Sequence, residues 1–151
     1  MVNYQIRFLG NTGSIPTPLS SEQIQRKLFE VLLRSLDRNL KNRDDVSRFL
    51  DELPFYLKGS YHGHTPCIQI VNPQPEDHLI ILDAGSGIKD LGYELAEHLQ
   101  PNHHIHLFIT HLHWDHIQGF PFFTPIYQKS TRITIHGCDP HLEESFRFQQ
   151  N

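Results

Sequence analysis

The chain has 151 residues, a hydrophobic fraction of 38% and a formal net charge of −4. This length suits one domain or part of a larger one, and the aromatic fraction of 11% argues against disorder. The negative charge offers no electrostatic footprint for nucleic acid or an anionic membrane surface. Its apolar runs are strand-length, far short of the roughly 20 residues that span a bilayer, so we expect no membrane partner.

Cysteine usage and the N-terminal sequence predict a cytoplasmic protein. Cys67 and Cys138 are too few and too far apart for a disulfide framework or a zinc knuckle. The opening sequence MVNYQIRFLG lacks the basic and apolar regions of a signal peptide. We therefore expect a reducing cytoplasm as the location.

The N-terminal part predicts one strand followed by two helices. Residues 4–10 have a strand pattern, and a loop with two prolines follows. Apolar residues then recur at three- and four-residue steps, which predicts an amphipathic helix over 21–41. A second helix is predicted over 44–53, so that 20–54 forms a helical insertion. We expect the first helix to pack through Ile24, Leu28, Leu32 and Leu36.

The rest of the chain alternates strands and helices. One helix is predicted from Ile88 to the residue before Pro101, and a short one near Pro140. The two central strands are almost continuously apolar, which predicts burial on both faces. This interleaving indicates an α/β or mixed α+β class. The predicted strands cover 67–72, 78–87, 104–110 and 132–137.

The densest set of metal-ligating side chains directly follows the strand at 104–110. The sequence THLHWDH contains His111, His113, Asp115 and His116. His111 and His113 share one side of an extended backbone and can hold one divalent ion, while the adjacent Asp–His pair can reach a second. Such ligands favour zinc, with manganese or iron as alternatives. We expect the four side chains to converge on a metal centre; histidines without a metal are the alternative.

Twelve histidines in all are an unusual number for this length. Those of PNHHIH, residues 101–106, are interpreted as incidental surface residues.

The motif and its surroundings resemble the metallo-β-lactamase-fold hydrolases. The segments FLGNTGSIPTP, YHGHTPC, IILDAGSGI and GFPFFTPIY occur in the order seen in one branch of that family. This branch includes tRNA 3′-processing endonucleases and class II cyclic-nucleotide phosphodiesterases. The resemblance covers nearly the whole chain outside the helical insertion. It implies the four-layer αββα sandwich and a hydrolase of small-molecule or nucleotide phosphodiesters that uses two zinc ions and metal-activated water.

The resemblance also implies a role for each residue of the motif. His111 and His113 would bind the first ion, and Asp115 and His116 the second. Asp115 would also contact the attacking water and act in proton handling. Asp83 of LDAG would support the metal loop from behind the ligands. Capping of the glycine turn that follows is an equally weighted alternative for Asp83.

The family pattern is incomplete after His116. The family's second half normally supplies a further histidine, a bridging aspartate and a last histidine. The short stretch after the motif instead contains His136, Asp139 and His141, where the family has an ordinary strand and turn. We therefore expect residues 1–151 to be the N-terminal portion of a metallo-β-lactamase-like domain. Its metal site would be incomplete, so we expect negligible turnover from this chain alone.

Such a portion would leave an apolar sheet face without its covering layer. Exposed apolar area of this kind predicts self-association, or a C-terminal half as partner. The alternative to a hydrolase is a non-catalytic fragment or an interaction module that binds metal weakly.

His62 and His64 stand where family members tend to carry glycine and asparagine. We expect both to be exposed turn residues. A place at the rim of the site, or as replacement ligands, is the alternative.

Overall fold

The computed structural model describes residues 4–60, 63–71, 77–98 and 103–149. It divides into two compact units, the first formed by Met1–Pro16 with His64–Asn151 and the second by Thr17–Gly63. The predicted helical segment 20–54 lies within the second unit. The described α-helices are α1 Ser21–Ser35, α2 Arg43–Glu52, α3 Phe55–Lys58, α4 Ile88–His98, α5 Trp114–Ile117 and α6 Leu142–Gln149.

The first unit is built on a mixed five-stranded sheet with the strand order β1-β2-β3-β4-β5. These strands are β1 Gln5–Gly10, β2 Cys67–Val71, β3 His78–Leu82, β4 His104–Ile109 and β5 Arg132–Gly137. The first three strands pair antiparallel, whereas β3, β4 and β5 run parallel. Strands and helices alternate, so the chain is of mixed α/β class. The predicted strand over 78–87 ends at Leu82, because Asp83 has a φ of 59° that an extended strand cannot contain.

Helices of the first unit cover one face of this sheet. Ile105 and Leu107 of β4 are fully buried on that face and belong to the same core as Ile88 and Leu91 of α4. Two short 3-10 turns, Phe120–Phe122 and Thr124–Tyr127, follow α5 along the chain. None of the described helices combines the length and apolar character needed to cross a membrane.

The opposite face of the sheet is exposed. Directly paired residues share a face, and the register places Phe8, Ile68, Leu82 and Phe108 in one row across β1 to β4. Phe8 is 66% exposed and Phe108 is 38% exposed. The prediction that the central strands are buried on both faces is therefore wrong. Alternate side chains of β4 are buried and partly exposed, since the core of this unit lies on one side only.

The second unit packs around a small core of Phe49, Leu53 and Leu57. Ser20 caps α1, because its Oγ accepts a hydrogen bond from Gln23 N while Gln23 Oε1 accepts one from Ser20 N. The helix ends at Ser35 rather than at residue 41, and its last turn tightens as Leu36 N donates to Leu33 O.

The predicted packing face of α1 is wrong. Val31 packs against the core of the second unit, but the expected residues are exposed. The apolar residues of α1 are spread around more than one side of the helix, and the small core contacts only one stripe of them. The exposed residues are Ile24, Leu28, Leu32 and Leu36, at 46%, 57%, 64% and 75% of their surface.

Candidate functional site

The histidine motif directly follows the end of β4. β4 ends at Ile109, and α5 begins four residues after Thr110, at Trp114. The neighbouring parallel strand β3 ends at Leu82, which pairs with Phe108. Because carboxyl ends of parallel strands meet at one edge of a sheet, the motif and the LDAG sequence come together there.

Asp83 connects these two strand ends. Its side chain is buried, and its Oδ1 accepts a hydrogen bond from Thr110 N at 2.8 Å. Its Oδ2 lies 2.8 Å from His116 Nδ1. The positive φ of Asp83 is a conformation that aspartate adopts more readily than most residues. The carboxylate therefore fixes both the start of the motif and its last histidine.

The structure brings the motif residues close to one another in pairs. The ring centroids of His111 and His113 are 4.4 Å apart, and those of His111 and His116 are 4.0 Å apart. Asp115 is buried, and its Oδ2 lies 3.4 Å from His116 Nε2. Since Asp83 engages Nδ1 of His116, Nε2 is the nitrogen that remains toward Asp115. A carboxylate on one imidazole nitrogen, with the other nitrogen free, is the usual setting of a metal-ligating histidine.

Sequence reasoning missed Thr110, which joins Asp83 to His111. Its Oγ1 lies 3.0 Å from each carboxylate oxygen of Asp83 and 3.0 Å from His111 Nδ1. The only signal was its position, as the single polar residue between an apolar strand and the motif. Thr110 thus orients the first histidine of the motif, as Asp83 orients the last.

The loop after Asp83 packs tightly against α5. Ala84 N donates to His116 O at 2.7 Å, and Gly119 N donates to Ala84 O at 2.8 Å. A Cβ placed on Gly85 would lie 2.5 Å from the carbonyl oxygen of Asp115, closer than real Cβ contacts come. Glycine at this position therefore permits the loop to approach the motif.

His64 belongs to a neighbouring loop network. Its Nδ1 lies 3.1 Å from Ser86 Oγ, and its Nε2 lies 3.2 Å from Asp90 Oδ2. Both ring nitrogens therefore have partners on the loop and helix that follow Asp83, which favours the turn role over that of a replacement ligand. His62 lies outside the described residues.

A second group of histidines lies on the exposed face of the sheet, along β3, β4 and β5. Ring nitrogens of His78, His104 and His106 lie within 4.8 Å of one another, so these three could hold a metal ion. In the part of the chain that the structure describes, this trio, rather than the motif, meets that spacing for three or more ligands. The interpretation of 101–106 as incidental overlooked His104 and His106, because their partner on β3 is distant in sequence.

Two members of this trio, His104 and His106, have lowered pKa values. The pKa values of His104 and His106 are lowered, first because partial burial disfavours the charged form. Repulsion by Arg132 and by the neighbouring histidines lowers the pKa of each further. Asp77 acts in the opposite direction on His104. Both side chains are therefore held toward the neutral imidazole.

No family model, curated protein or solved structure matches this chain. Its function is therefore inferred from the residues and from their geometry.

Proposed function

We propose that the chain carries half of the metal centre of a phosphodiester hydrolase with the metallo-β-lactamase fold. The observation that carries this proposal is the contact between Asp83 and His116 at the edge of the sheet where the motif begins. A buried carboxylate on one ring nitrogen of a histidine is a common support of metal-ligating imidazoles. The mixed sheet with helices on one face is compatible with half of the αββα sandwich.

The donor set fits divalent transition metals. In this proposal His111 and His113 hold one ion, and Asp115 and His116 hold the other. Imidazole and carboxylate ligands favour zinc, with manganese or iron as alternatives. When bound, such ions supply Lewis-acid stabilisation of the charge that develops at phosphorus.

The protein's own residues would orient ligands and move protons. With its proton on Nδ1, His116 would donate to Asp83 and keep the Nε2 lone pair for a metal. Asp115 is buried beside that nitrogen and is the carboxylate that would accept a proton from the attacking water. Thr110 fixes Nδ1 of His111 in the same way that Asp83 fixes His116.

The test is a measurement of metal binding and of hydrolysis with the same protein. Zinc binding at the motif should be weak, and the ion held by His111 and His113 should be lost in His113→Ala. Turnover of bis(p-nitrophenyl) phosphate should be negligible, because only four ligands serve two ions. Rapid zinc-dependent turnover that survives His113→Ala would place the chemistry elsewhere and overturn the proposal.

A non-catalytic interaction module is the second candidate, and a different observation favours it. The row that contains Phe8 and Phe108 presents apolar surface on a sheet face that no described element of the first unit covers. Contiguous exposed apolar surface of this kind usually marks an interaction site. In this candidate a second copy of the chain covers that face.

A further inference from the structure

We propose that the exposed sheet face holds a second metal site, formed by His78, His104 and His106. Its ligand would be one late transition-metal dication of the zinc, nickel or copper class. The site would lie apart from the motif and would tie β3 to β4 on the face opposite the core.

Strand register brings the three rings together. His78 of β3 pairs directly with His104 of β4, and His106 follows two positions along the same strand. Residues two apart on a strand share a face, so all three rings stand on one side of the sheet. The ring centroids lie 5.4 Å apart for His78 and His104, 4.8 Å for His78 and His106, and 4.0 Å for His104 and His106. The backbone ladder therefore preorganises the group.

The spacing of the nitrogens is close to what an ion requires. His106 Nε2 and His78 Nδ1 are 2.9 Å apart. Two nitrogens bound tetrahedrally to zinc at its usual bond length stand about 3.3–3.4 Å apart. The two nitrogens would have to move apart by about half an ångström. A small rotation of the side chains achieves this, since they are only partly buried. The ion would replace the hydrogen bond between the two rings.

In each of the three histidines, the ring nitrogen that would not bind the ion faces a polar group. His78 Nε2 lies 4.0 Å from Asp77 Oδ1, and His104 Nε2 lies 2.7 Å from Thr134 Oγ1. His106 Nδ1 lies 3.0 Å from His136 Nε2. Metal-ligating histidines commonly have such an outer partner, which fixes the ring and its tautomer. These contacts leave Nδ1 of His78, Nδ1 of His104 and Nε2 of His106 for the ion.

The ligand chemistry selects the class of ion. Three imidazoles suit zinc, nickel and copper, whereas magnesium and calcium need oxygen ligands. Arg132 pairs with His104 across β4 and β5, so the local charge does not attract cations in general. Binding must therefore come from coordination by nitrogen.

The trio is separated from the motif along β4. His106 and Ile109 are three strand residues apart, about 10 Å at the usual rise, and the motif begins beyond that point. Variants can therefore remove one site while leaving the ligands of the other in place.

Calorimetric titration of metal-free protein with Zn²⁺ or Ni²⁺ tests the site, in a His113→Gln/His116→Gln background in which each ion proposed for the motif lacks a ligand. In that background we expect one ion per chain. Adding His106→Gln should weaken this binding by more than about 100-fold, since loss of an outer partner alone costs roughly 10–100-fold. Adding His141→Gln, an exposed histidine outside both groups, should leave it unchanged.

Side-chain ¹⁵N NMR of the unmutated chain provides a readout that does not depend on a variant folding. Zn²⁺ should shift the ring nitrogens of His78, His104 and His106. Binding in the His113→Gln/His116→Gln background that survives His106→Gln would overturn the proposal. It would equally be overturned by one ion per two chains, or by ring shifts confined to the motif.

Discussion

Asp83 and His116 are 33 residues apart in the sequence, yet Oδ2 of the one lies 2.8 Å from Nδ1 of the other. This contact joins the end of β3 to the first helical turn after β4. It also decides which nitrogen of His116 can bind a metal. The geometry of the motif therefore depends on a carboxylate that is not part of it.

Asp83→Asn should weaken zinc binding at the motif by roughly 10–100-fold, because the imidazole loses the charge that orients it. Asparagine can still accept from Thr110 N, so the fold should be retained. Competition with a chromophoric chelator measures the affinity, in a His106→Gln background that removes the other proposed site. Asp37→Asn, an exposed position of the second unit, is the matched control. Equal affinities of Asp83→Asn and the control would contradict a supporting role for Asp83.

Gly85→Ala should destabilise the first unit by about 1–3 kcal/mol, the usual cost of forced overpacking. The added Cβ would lie 2.5 Å from each of three oxygens, those of Asp115, Pro66 and the Thr65 hydroxyl. Urea unfolding followed by far-UV circular dichroism measures the change. Gly13→Ala is the control, since a Cβ there would meet nothing within 4 Å. If both variants unfold at the same urea concentration, the loop does not depend on this close approach.

The local elements could be predicted from the sequence because each depends on neighbouring residues. An apolar run of strand length marks β4, and the spacing of His111 to His116 marks the motif at its end. The helix over Ser21–Ser35 was recognisable in the same way. The buried face of α1 could not be recognised from the sequence. It depends on which side of the helix contacts the core around Phe49, which is distant in sequence.

Long-range relationships could not be obtained from local pattern. The trio of histidines forms only because β3 and β4 pair parallel with His78 opposite His104. A one-residue shift of that register would place His78 on the other face. Thr110 was missed for a related reason, since its role comes from a partner, Asp83, on the adjacent strand.

The two cysteines should differ sharply in reactivity. Cys67 is fully buried, and burial, with a smaller contribution from the charge of Asp83, raises the pKa of its thiol to about 12. Cys138 is exposed. Folded protein should therefore release one equivalent of thionitrobenzoate from Ellman's reagent at pH 8, and none after Cys138→Ser. Rapid release of two equivalents from folded protein would show that Cys67 is accessible.

Acid should destabilise the metal-free protein through His104 and His106. The folded chain lowers the pKa values of His104 and His106, so the unfolded chain binds these protons more readily. Well above pH 6.5, the ordinary histidine pKa, both states are unprotonated at these residues and the free energy of unfolding is unaffected. As the pH falls through 6.5 toward the lowered pKa values of the folded chain, protons bind preferentially to the unfolded chain and the free energy of unfolding decreases. Urea unfolding with chelator between pH 7.5 and 5 measures the slope.

The matched variants for that pH series are His106→Gln and His141→Gln. His106→Gln removes one group whose pKa is lowered by folding, so the dependence on pH should flatten. His141→Gln should retain the slope of the unmutated chain. Identical slopes for all three proteins would show that His104 and His106 do not govern acid stability.

The exposed sheet face should mediate self-association. Phe8 is 66% exposed and lies beside Ile6, 62% exposed, on the face of β1 that the core does not cover. Burying one such side chain in a dimer contributes up to about 1.5–3 kcal/mol, so Phe8→Gln should raise the dissociation constant about 10-fold or more. Sedimentation equilibrium measures it, with Ile15→Gln as control, because Ile15 is 68% exposed but lies in a loop outside the sheet. A chain that stays monomeric at high concentration, or a Phe8→Gln variant that associates as the unmutated chain does, would show that a second copy does not cover this face.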